Sequence, residues 1–317
     1  MKATTIIAII AGSALLAGGG TMLGLAIAKK GFPLSGSSKK YEHRIDITEE
    51  FTKVNIDSST ADIEFKKSDS DKCYIDCVDV EKQYHEANVN EGVLKVNQVD
   101  NRKWYDHLFD FGKRSITVYL TSDTYDEMKI HVSTGDIKCS EFKFGSFEVE
   151  ASTGNLSFEN IEVANISSFK TSTGNHHVKN LLSNELTIKA STGDINYENI
   201  GVSKTLLAET STGKHKYDHV KAENIEIIAD TGDVKMNDLV AQQHLSVKTS
   251  TGDVIFSDCD ASTINIKTST GDVKGSFVTG KNFQVKTSTG KVSYPSSSGG
   301  LCQVETSTGD VTLEVRS

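Results

Sequence analysis

The sequence predicts an all-β protein, a single-chain parallel β-solenoid of about ten coils of 19–20 residues, preceded by one N-terminal transmembrane helix. Three observations predict this fold: a Ser-Thr-Gly motif that recurs at a fixed interval, alternating apolar residues on both sides of the motif, and an uncharged apolar stretch from Ala3 to Ala28. The chain has 317 residues and a formal net charge of −9. This acidic balance argues against a general nucleic-acid-binding protein, which needs a basic surface.

The N-terminal 30 residues are predicted to be a membrane anchor. The apolar stretch contains 26 residues, and about 20 are enough to cross a bilayer core. A cleaved signal peptide is the alternative, because Ala26-Ile27-Ala28 has the form of a cleavage site. Residues 31–44 are interpreted as a flexible tether.

The orientation of the anchor is predicted from two opposing signals. The basic residues Lys29, Lys30, Lys39, Lys40 and Arg44 follow the apolar stretch and favour a cytoplasmic C-terminal side. A Ser/Thr-rich β-repeat behind an N-terminal anchor is, however, the common layout of a surface-displayed domain. We therefore expect a single-pass cell-membrane protein with the solenoid outside the cell.

The repeat occupies residues 131–317. Its ten turn glycines are spaced by 19 or 20 residues, and they are Gly135, Gly154, Gly174, Gly193, Gly213, Gly232, Gly252, Gly271, Gly290 and Gly309. An eleventh, degenerate copy lies at Ser59-Thr60-Ala61-Asp62. A fixed period of this length indicates a stacked repeat architecture.

Apolar residues occur at fixed positions around each glycine and alternate with polar ones, which is typical of half-buried strands. The column seven residues after the glycine contains Phe142, Ile161, Leu181, Ile200, Val220, Leu239, Cys259 and Val278. Nineteen residues are too few for a propeller blade of roughly 40 but suit one solenoid coil, stacked about 4.8 Å from the next. Between the apolar positions, Lys248, Lys267 and Lys286 form a predicted outward ladder.

The motif itself is interpreted as a structural corner. Glycine allows a positive φ without a Cβ between stacked coils, and Ser, Thr, Asp and Asn bond to local backbone. Three alternatives stay open: Ca²⁺ binding, an ice-binding Thr ladder, and a recognition surface for a partner or glycan. The Ca²⁺ ligands would be the aspartates that follow the glycines, Asp136, Asp194, Asp233, Asp253, Asp272 and Asp310.

No enzymatic or metal-binding motif is recognisable in the sequence, so we expect a non-enzyme with no catalytic residues, cofactor or metal. The five cysteines show no CxxC spacing and are interpreted as small buried hydrophobic residues, with Cys73 and Cys77 on one strand face that Asp79 interrupts. His176 and His215 fall in an inward column two coils apart, too far for one metal ion.

Residues 45–130 are interpreted as N-terminal coils with a capping insertion. The insertion breaks the period and contains an aromatic cluster of Trp104, Tyr105, Phe109 and Phe111. End coils of a solenoid need a cap, so we expect this segment to fold over or beside the first coils. The alternative is that the cluster is an exposed contact site for a partner.

The arrangement resembles a known family. The membrane segment, the strand pair VNIDSSTADIEF, the segment GVLKV, and SITVYLTSDTYDEMKIHVSTGDI followed by tandem STGD coils are similar to the bacterial "putative adhesin" β-solenoid family. This resemblance covers roughly residues 45–317. It implies an envelope-associated protein with a β-solenoid fold and brings no catalytic residues.

Three functions remain as hypotheses. The first is a non-catalytic envelope protein that binds a partner, or a wall or matrix polymer, through the solenoid faces. The second is a membrane-bound accessory of envelope-stress signalling that acts by protein contact. The third is a solenoid glycan hydrolase, for which no carboxylate pair stands out in the sequence.

Overall fold

A computed structural model describes residues 40–102 and 113–316 of the chain. All of its regular elements are β-strands, and nearly all of the strand pairs are parallel. No helix in the described residues is long and apolar enough to cross a membrane. The predicted transmembrane segment, residues 1–30, and the aromatic cluster Trp104, Tyr105, Phe109 and Phe111 lie outside the described residues.

The 21 strands fall into three groups along the chain. The first seven are β1 (Lys40–Ile47), β2 (Lys53–Thr60), β3 (Asp62–Lys67), β4 (Cys73–Val80), β5 (Gln83–Asn90), β6 (Val93–Asp100) and β7 (Ser115–Leu120). The next nine are β8 (Thr124–Thr134), β9 (Ile137–Thr153), β10 (Leu156–Thr173), β11 (His176–Thr192), β12 (Ile195–Val202), β13 (Thr205–Thr212), β14 (His215–Thr231), β15 (Val234–Thr251) and β16 (Val254–Thr270). The last five are β17 (Val273–Phe277), β18 (Lys281–Thr289), β19 (Val292–Ser293), β20 (Gly300–Thr308) and β21 (Val311–Val315).

Each coil turns its first corner at the Ser-Thr-Gly motif, and a coil is named here after its corner glycine. The ten glycines have φ between 143° and 156°, a range that residues with a Cβ rarely adopt. A Cβ added to any of them would lie less than 3.0 Å from a main-chain carbonyl oxygen of the neighbouring coil. The corner therefore requires glycine for its own dihedral angle and for the close approach of the next coil.

A second corner follows six residues after the glycine, and the sequence analysis did not identify it. The residues there have φ between 46° and 65°, and they are Glu141, Asn160, Asn180, Asn199, His219, Asp238 and Asp258. Asn and Asp tolerate this left-handed conformation better than most residues. Side-chain amides also stack at this corner, because Asn180 Nδ2 donates to Asn160 Oδ1 at 2.7 Å and Asn199 Nδ2 to Asn180 Oδ1 at 3.0 Å.

The core lies inside the coils and is built from the predicted apolar columns. Phe142, Leu181 and Val220, for example, occupy one column and are all buried. One predicted member is wrong: Val278 is exposed, and Phe277 pairs with Cys259 in its place. The Gly271 coil lacks a left-handed residue at its second corner. The register in which this coil pairs with the Gly252 coil therefore shifts between Phe256 and Cys259.

At the N-terminal end, the order of the coils in space differs from their order in the sequence. The degenerate copy, formed by β2 and β3, lies between the Gly135 coil and a further coil formed by β6 and β7. All of these pairings are parallel. The strands β2, β3, β6 and β7 therefore belong to the same stack as the regular repeat, and they lie in the segment that the sequence analysis interpreted as N-terminal coils with a capping insertion.

The stack is closed by antiparallel strands. β4 pairs antiparallel with β7, β5 pairs antiparallel with β6, and β1 is added outside β4. We call β1, β4 and β5 the cap. Residues 40–44, which the sequence analysis assigned to the tether, lie in β1 instead, because that strand pairs with β4 over its full length.

At the C-terminal end the order is exchanged again. The Gly309 coil, which is last in the sequence, lies between the Gly271 coil and the Gly290 coil. Glu305 consequently pairs with Lys267 on one side and with Lys286 on the other. The Gly290 coil is thus the final coil of the described stack.

A disulfide cross-link tests this exchanged order. Neighbouring coils are about 4.8 Å apart, which is within the Cα separation of a disulfide, whereas two spacings of about 10 Å are not. We expect the pair Lys267→Cys and Glu305→Cys to form a disulfide on mild oxidation, detected by mass spectrometry of the linked peptides. The control pair Lys267→Cys and Lys286→Cys should stay unlinked. Linkage of the control pair alone would mean that the coils follow the order of the sequence.

Candidate functional sites

The Ser-Thr-Gly corners together form an exposed hydroxyl ridge along the stack. The threonine directly before each of the ten glycines is exposed, and so is the residue before it, which is a serine in every coil except at Asp230. The threonines one position earlier, including Thr171, Thr210 and Thr268, are buried except for Thr287, which is half-buried. The ridge therefore presents two neighbouring columns of hydroxyl groups that repeat at the coil spacing.

A groove of about 410 Å³ runs beside this ridge across five consecutive coils. We call it the ridge groove. Its buried lining residues are Ala151, Thr171, Ala190 and Thr210, and its more exposed ones include Glu150, Lys170, Lys189, Glu209, Ser152, Ser172, Ser191 and Ser211. Because each coil contributes equivalent positions, the groove follows the stacking direction over about 19 Å.

Charged side chains next to the ridge are largely neutralised by ion pairs between coils. Lys189 Nζ lies 2.7 Å from Glu209 Oε2, and Lys248 Nζ lies 2.8 Å from Glu226 Oε1. The predicted lysine ladder is not continuous, because Glu305 separates Lys267 from Lys286 and lies 3.2 Å and 3.6 Å from their Nζ atoms. This face is therefore not a continuous basic surface.

The aspartate column has a backbone partner in the neighbouring coil. Asp136 Oδ1 accepts from Asn155 N at 2.8 Å, and Asp253 Oδ1 accepts from Asp272 N at 2.8 Å. Lys214 interrupts the column within the stack, and Lys291 interrupts it in the Gly290 coil, beyond which no described coil requires an acceptor. In the described residues, the only group of three or more His, Cys, Asp or Glu side chains spaced to hold a metal lies elsewhere, in the cap. The column is thus a hydrogen-bond ladder between corners.

Two histidines lie inside the stack. Burial lowers the pKa of His176 to about 4, and burial also lowers the pKa of His215 to about 4. His176 Nε2 lies 2.9 Å from Thr171 Oγ1, and His215 Nδ1 lies 2.9 Å from Tyr217 Oη. Both imidazoles are therefore neutral at pH 7 and act as hydrogen-bonded core residues.

A buried lysine, which the sequence analysis missed, supports the end of the stack. Lys281 is 2 % exposed and is ion-paired with Asp260. Its Nζ also donates to Ala261 O and to Thr279 Oγ1, both at 2.9 Å. These three contacts of the ammonium group stabilise the turn that leads into β18.

Buried polar side chains form a cluster where the cap meets β2, and we call it the cap cluster. It consists of Ser58 of β2 with Asp79 and His85 of the cap, and His43 and Cys77 lie beside them. Asp79 is fully buried. Its Oδ1 lies 2.7 Å from His85 Nδ1, and its Oδ2 accepts from the main-chain N of His85 at 2.7 Å. His85 Nε2 lies 3.0 Å from Ser58 Oγ.

The order Ser58–His85–Asp79 matches the hydrogen-bond sequence of a serine nucleophile, its base and an orienting carboxylate. Ser58, however, is only 1 % exposed, as is His85. A substrate could not reach the hydroxyl without opening the cap. The arrangement satisfies buried polar groups, and the exposed part of the cluster is on the side of His43.

On that side, Cys77 and His43 approach the same carboxylate. His43 Nε2 lies 3.8 Å from Asp79 Oδ2. Burial, together with the nearby carboxylates of Asp79 and Asp76, raises the pKa of the Cys77 thiol to about 12. All five cysteines of the chain carry free thiols. The sequence showed that Cys77 and Asp79 share a strand face, but it could not show that His43 and His85 are brought to them from other strands.

Comparison with known proteins places the chain in a family. The sequence profile of Toastrack DUF4097 matches residues 51–255 and 237–317. The chain belongs to the Toastrack DUF4097 family. The resemblance drawn from the STGD repeats is thereby confirmed at the level of the family. No curated protein sequence matches the chain.

Three of the solved structures similar to this Toastrack chain come from Parabacteroides and Bacteroides. A "putative lipid binding protein" from Parabacteroides distasonis has 17 % identity and a TM-score of 0.49, over 76 % of this chain and 95 % of that one. A "putative adhesin" from Bacteroides fragilis has 13 % identity and a TM-score of 0.38, over 88 % and 98 %. A "putative adhesin" from Parabacteroides merdae has 15 % identity and a TM-score of 0.28, over 89 % and 98 %.

The buried histidines predict how the stability of this chain depends on pH. The pKa of His176 is about 4 when folded and 6.5 ordinarily, so the unfolded chain binds more protons between these values. Stability due to the neutral imidazole is therefore present above pH 6.5 and is lost as the pH falls toward 4. We expect the free energy of unfolding to fall by about 2 kcal/mol between pH 7 and pH 4.5 because of this histidine.

Urea unfolding at the two pH values measures this cost. The double variant Thr171→Ala with His176→Leu reproduces the Ala151 and Leu156 of the preceding coil, and it should lose less stability on acidification than the parent. Thr171→Ala alone keeps the histidine and should retain the parent's pH dependence. An unchanged pH dependence in the double variant would show that His176 does not titrate in this window.

Proposed function

We propose that this chain is a non-catalytic, membrane-anchored envelope protein of adhesin type that binds an extended wall or matrix polymer along the ridge groove. The observation that carries the proposal is the continuity of the groove over five coils. A groove with equivalent residues at each coil spacing offers the same contacts repeatedly to one extended molecule. Such an arrangement suits a polymer better than a compact small ligand, which would need a closed pocket.

The groove chemistry indicates which kind of polymer fits. Its exposed wall carries the hydroxyls of Ser152, Ser172, Ser191 and Ser211, which can both donate and accept hydrogen bonds. One pair of its charged groups, Lys189 and Glu209, is already neutralised. A hydroxyl-rich polymer with little charge, such as a polysaccharide, would hydrogen-bond to these serines, while the other charged side chains of the groove, Glu150, Lys170 and Asp230, are exposed to solvent.

The proposed location is the outer face of the cell membrane, with residues 1–30 as the anchor. It rests on the uncharged stretch from Ala3 to Ala28 and on the Ser/Thr-rich repeat that follows it. In the first arm of the test, protease is added to intact cells and a C-terminal tag is detected. Loss of the tag supports the outer location, whereas survival of the tag until the cells are lysed contradicts it.

A second candidate function is contact with another envelope protein, as in stress signalling. The observation that favours it is the last coil of the stack. Within the described residues, β18 pairs along its length with β20 only, and Val292 and Tyr294 nearby are 42 % and 46 % exposed. An open strand edge of this kind can accept a strand from a partner.

Binding to isolated cell-wall material, measured by co-sedimentation of the purified full-length chain, is the second arm of the test. The variant Ser172→Tyr with Ser191→Tyr fills the groove and should weaken binding at least tenfold. The matched control, Ser250→Tyr with Ser269→Tyr, changes the same column outside the groove and should bind as the parent does. Equal thermal unfolding of both variants shows that the fold is retained.

Other outcomes of this experiment distinguish the remaining functions. Binding that is unaffected by the groove variant would contradict the proposed site. Binding that is lost only when Val285→Pro blocks the open edge of β18 would favour protein contact through the last coil. Release of new reducing ends from the wall material would show that the chain is a hydrolase and would overturn the non-catalytic proposal.

A further inference from the structure

We propose that His43, Cys77 and Asp79 of the cap form a binding site for a divalent transition-metal ion, with Zn²⁺ as the best match. One ligand atom from each of the three side chains lies within 4.8 Å of the other two. In a tetrahedral zinc site with bonds of 2.0–2.3 Å, ligand atoms are roughly 3.3 to 3.8 Å apart. Small side-chain adjustments therefore bring the three groups to bonding distance around one ion.

The strand pairing of the cap creates this convergence. β1 and β4 are antiparallel, and His43 lies directly opposite Cys77 in their register. Asp79 is two residues beyond Cys77, so its side chain projects from the same face of β4. The three ligands thus come from two adjacent strands that are held together by a complete hydrogen-bonded ladder.

The donor set distinguishes the metal. Imidazole nitrogen, thiolate sulfur and carboxylate oxygen are the three ligand types that zinc uses in proteins, whereas Ca²⁺ and Mg²⁺ prefer oxygen ligands alone. Three protein ligands leave one position for water or for an external ligand. Cys77 and Asp79 are buried, and the side chain of His43 is 27 % exposed, so an ion could enter from the side of His43.

Asp79 is already oriented for this role by groups behind it. His85 holds both carboxylate oxygens, one through its Nδ1 and the other through its main-chain N. Ser58 in turn contacts the far nitrogen of the His85 ring. Such outer hydrogen bonds fix the direction of a ligating carboxylate and are typical of metal sites. The buried Ser58–His85–Asp79 series would thus serve to orient Asp79 as a metal ligand.

Two further observations support a cation at this position. Asp79 is a fully buried carboxylate, and the basic side chains that approach it within ion-pair distance in the described chain are the imidazoles of His43 and His85. A buried carboxylate is costly without a compensating positive charge. His43 Nδ1 is also buried without a hydrogen-bond partner in the described residues, and the ring of Tyr41 stacks on His43 with centroids 5.1 Å apart.

Cobalt substitution tests the site directly. The purified full-length chain, freed of metal with a chelator, is titrated with Co²⁺ and followed by absorption spectroscopy. We expect one Co²⁺ per chain, with a thiolate-to-cobalt charge-transfer band in the near ultraviolet that added Zn²⁺ abolishes. Cys77→Ser should remove the band, and His43→Gln should weaken Co²⁺ binding at least tenfold.

The control variant is Cys302→Ser, which changes a buried cysteine in the Gly309 coil and should keep the band. Urea unfolding provides a second measurement, because an ion that binds only the native state raises the unfolding midpoint. Zn²⁺ should raise the midpoint of the parent and of Cys302→Ser, but not that of Cys77→Ser. A folded parent without the band, or a band that persists in Cys77→Ser, would overturn the proposal.

Discussion

The contact on which the whole structure depends is the approach of each corner glycine to the main-chain carbonyl of the coil beside it. At Gly252 the position that a Cβ would occupy is taken up by the carbonyl group of Gly232. Close stacking here lets Gly232 N donate to Thr251 O at 2.9 Å and keeps the strands on both sides of the corner in register. The hydroxyl ridge, the aspartate ladder and the apolar columns all repeat at this spacing because the corner sets it.

The two ends of the stack differ from its middle, because an end coil exposes unpaired backbone groups. At the N-terminal end, β4 and β5 reverse direction and close the stack with antiparallel pairs. At the other end, the Gly290 coil is outermost, and β18 keeps an open edge within the described residues. This asymmetry separates the proposed roles: the groove lies along the middle coils, the metal site in the closed end, and the candidate protein contact at the open end.

The coils could be predicted because they repeat locally in the sequence. The order of the end coils and the cap cluster could not be predicted, because they depend on pairing between distant strands. The period identifies the corner glycines and the inward columns, because strand alternation is a property of neighbouring residues. The sequence analysis missed the second corner, although it has a local signal, since Asn160, Asn180 and Asn199 recur six residues after the glycine. The exchange of the Gly290 and Gly309 coils was not visible, because both copies fit either place. The cap cluster could not be predicted either, because His43 is 34 residues from Cys77 in the sequence. Only the pairing of β1 with β4 brings the two residues together.

The most direct test of the corner contact compares Gly252→Ala with Gly92→Ala by urea unfolding. Both glycines have positive φ, but an added Cβ at Gly92 meets no atom within 4 Å. Gly92→Ala should therefore cost only the backbone strain of about 1–2 kcal/mol. Gly252→Ala should cost several kcal/mol, because the neighbouring coil must also move. Equal costs for the two variants would contradict the account, since they would show that the coils do not need the close glycine contact.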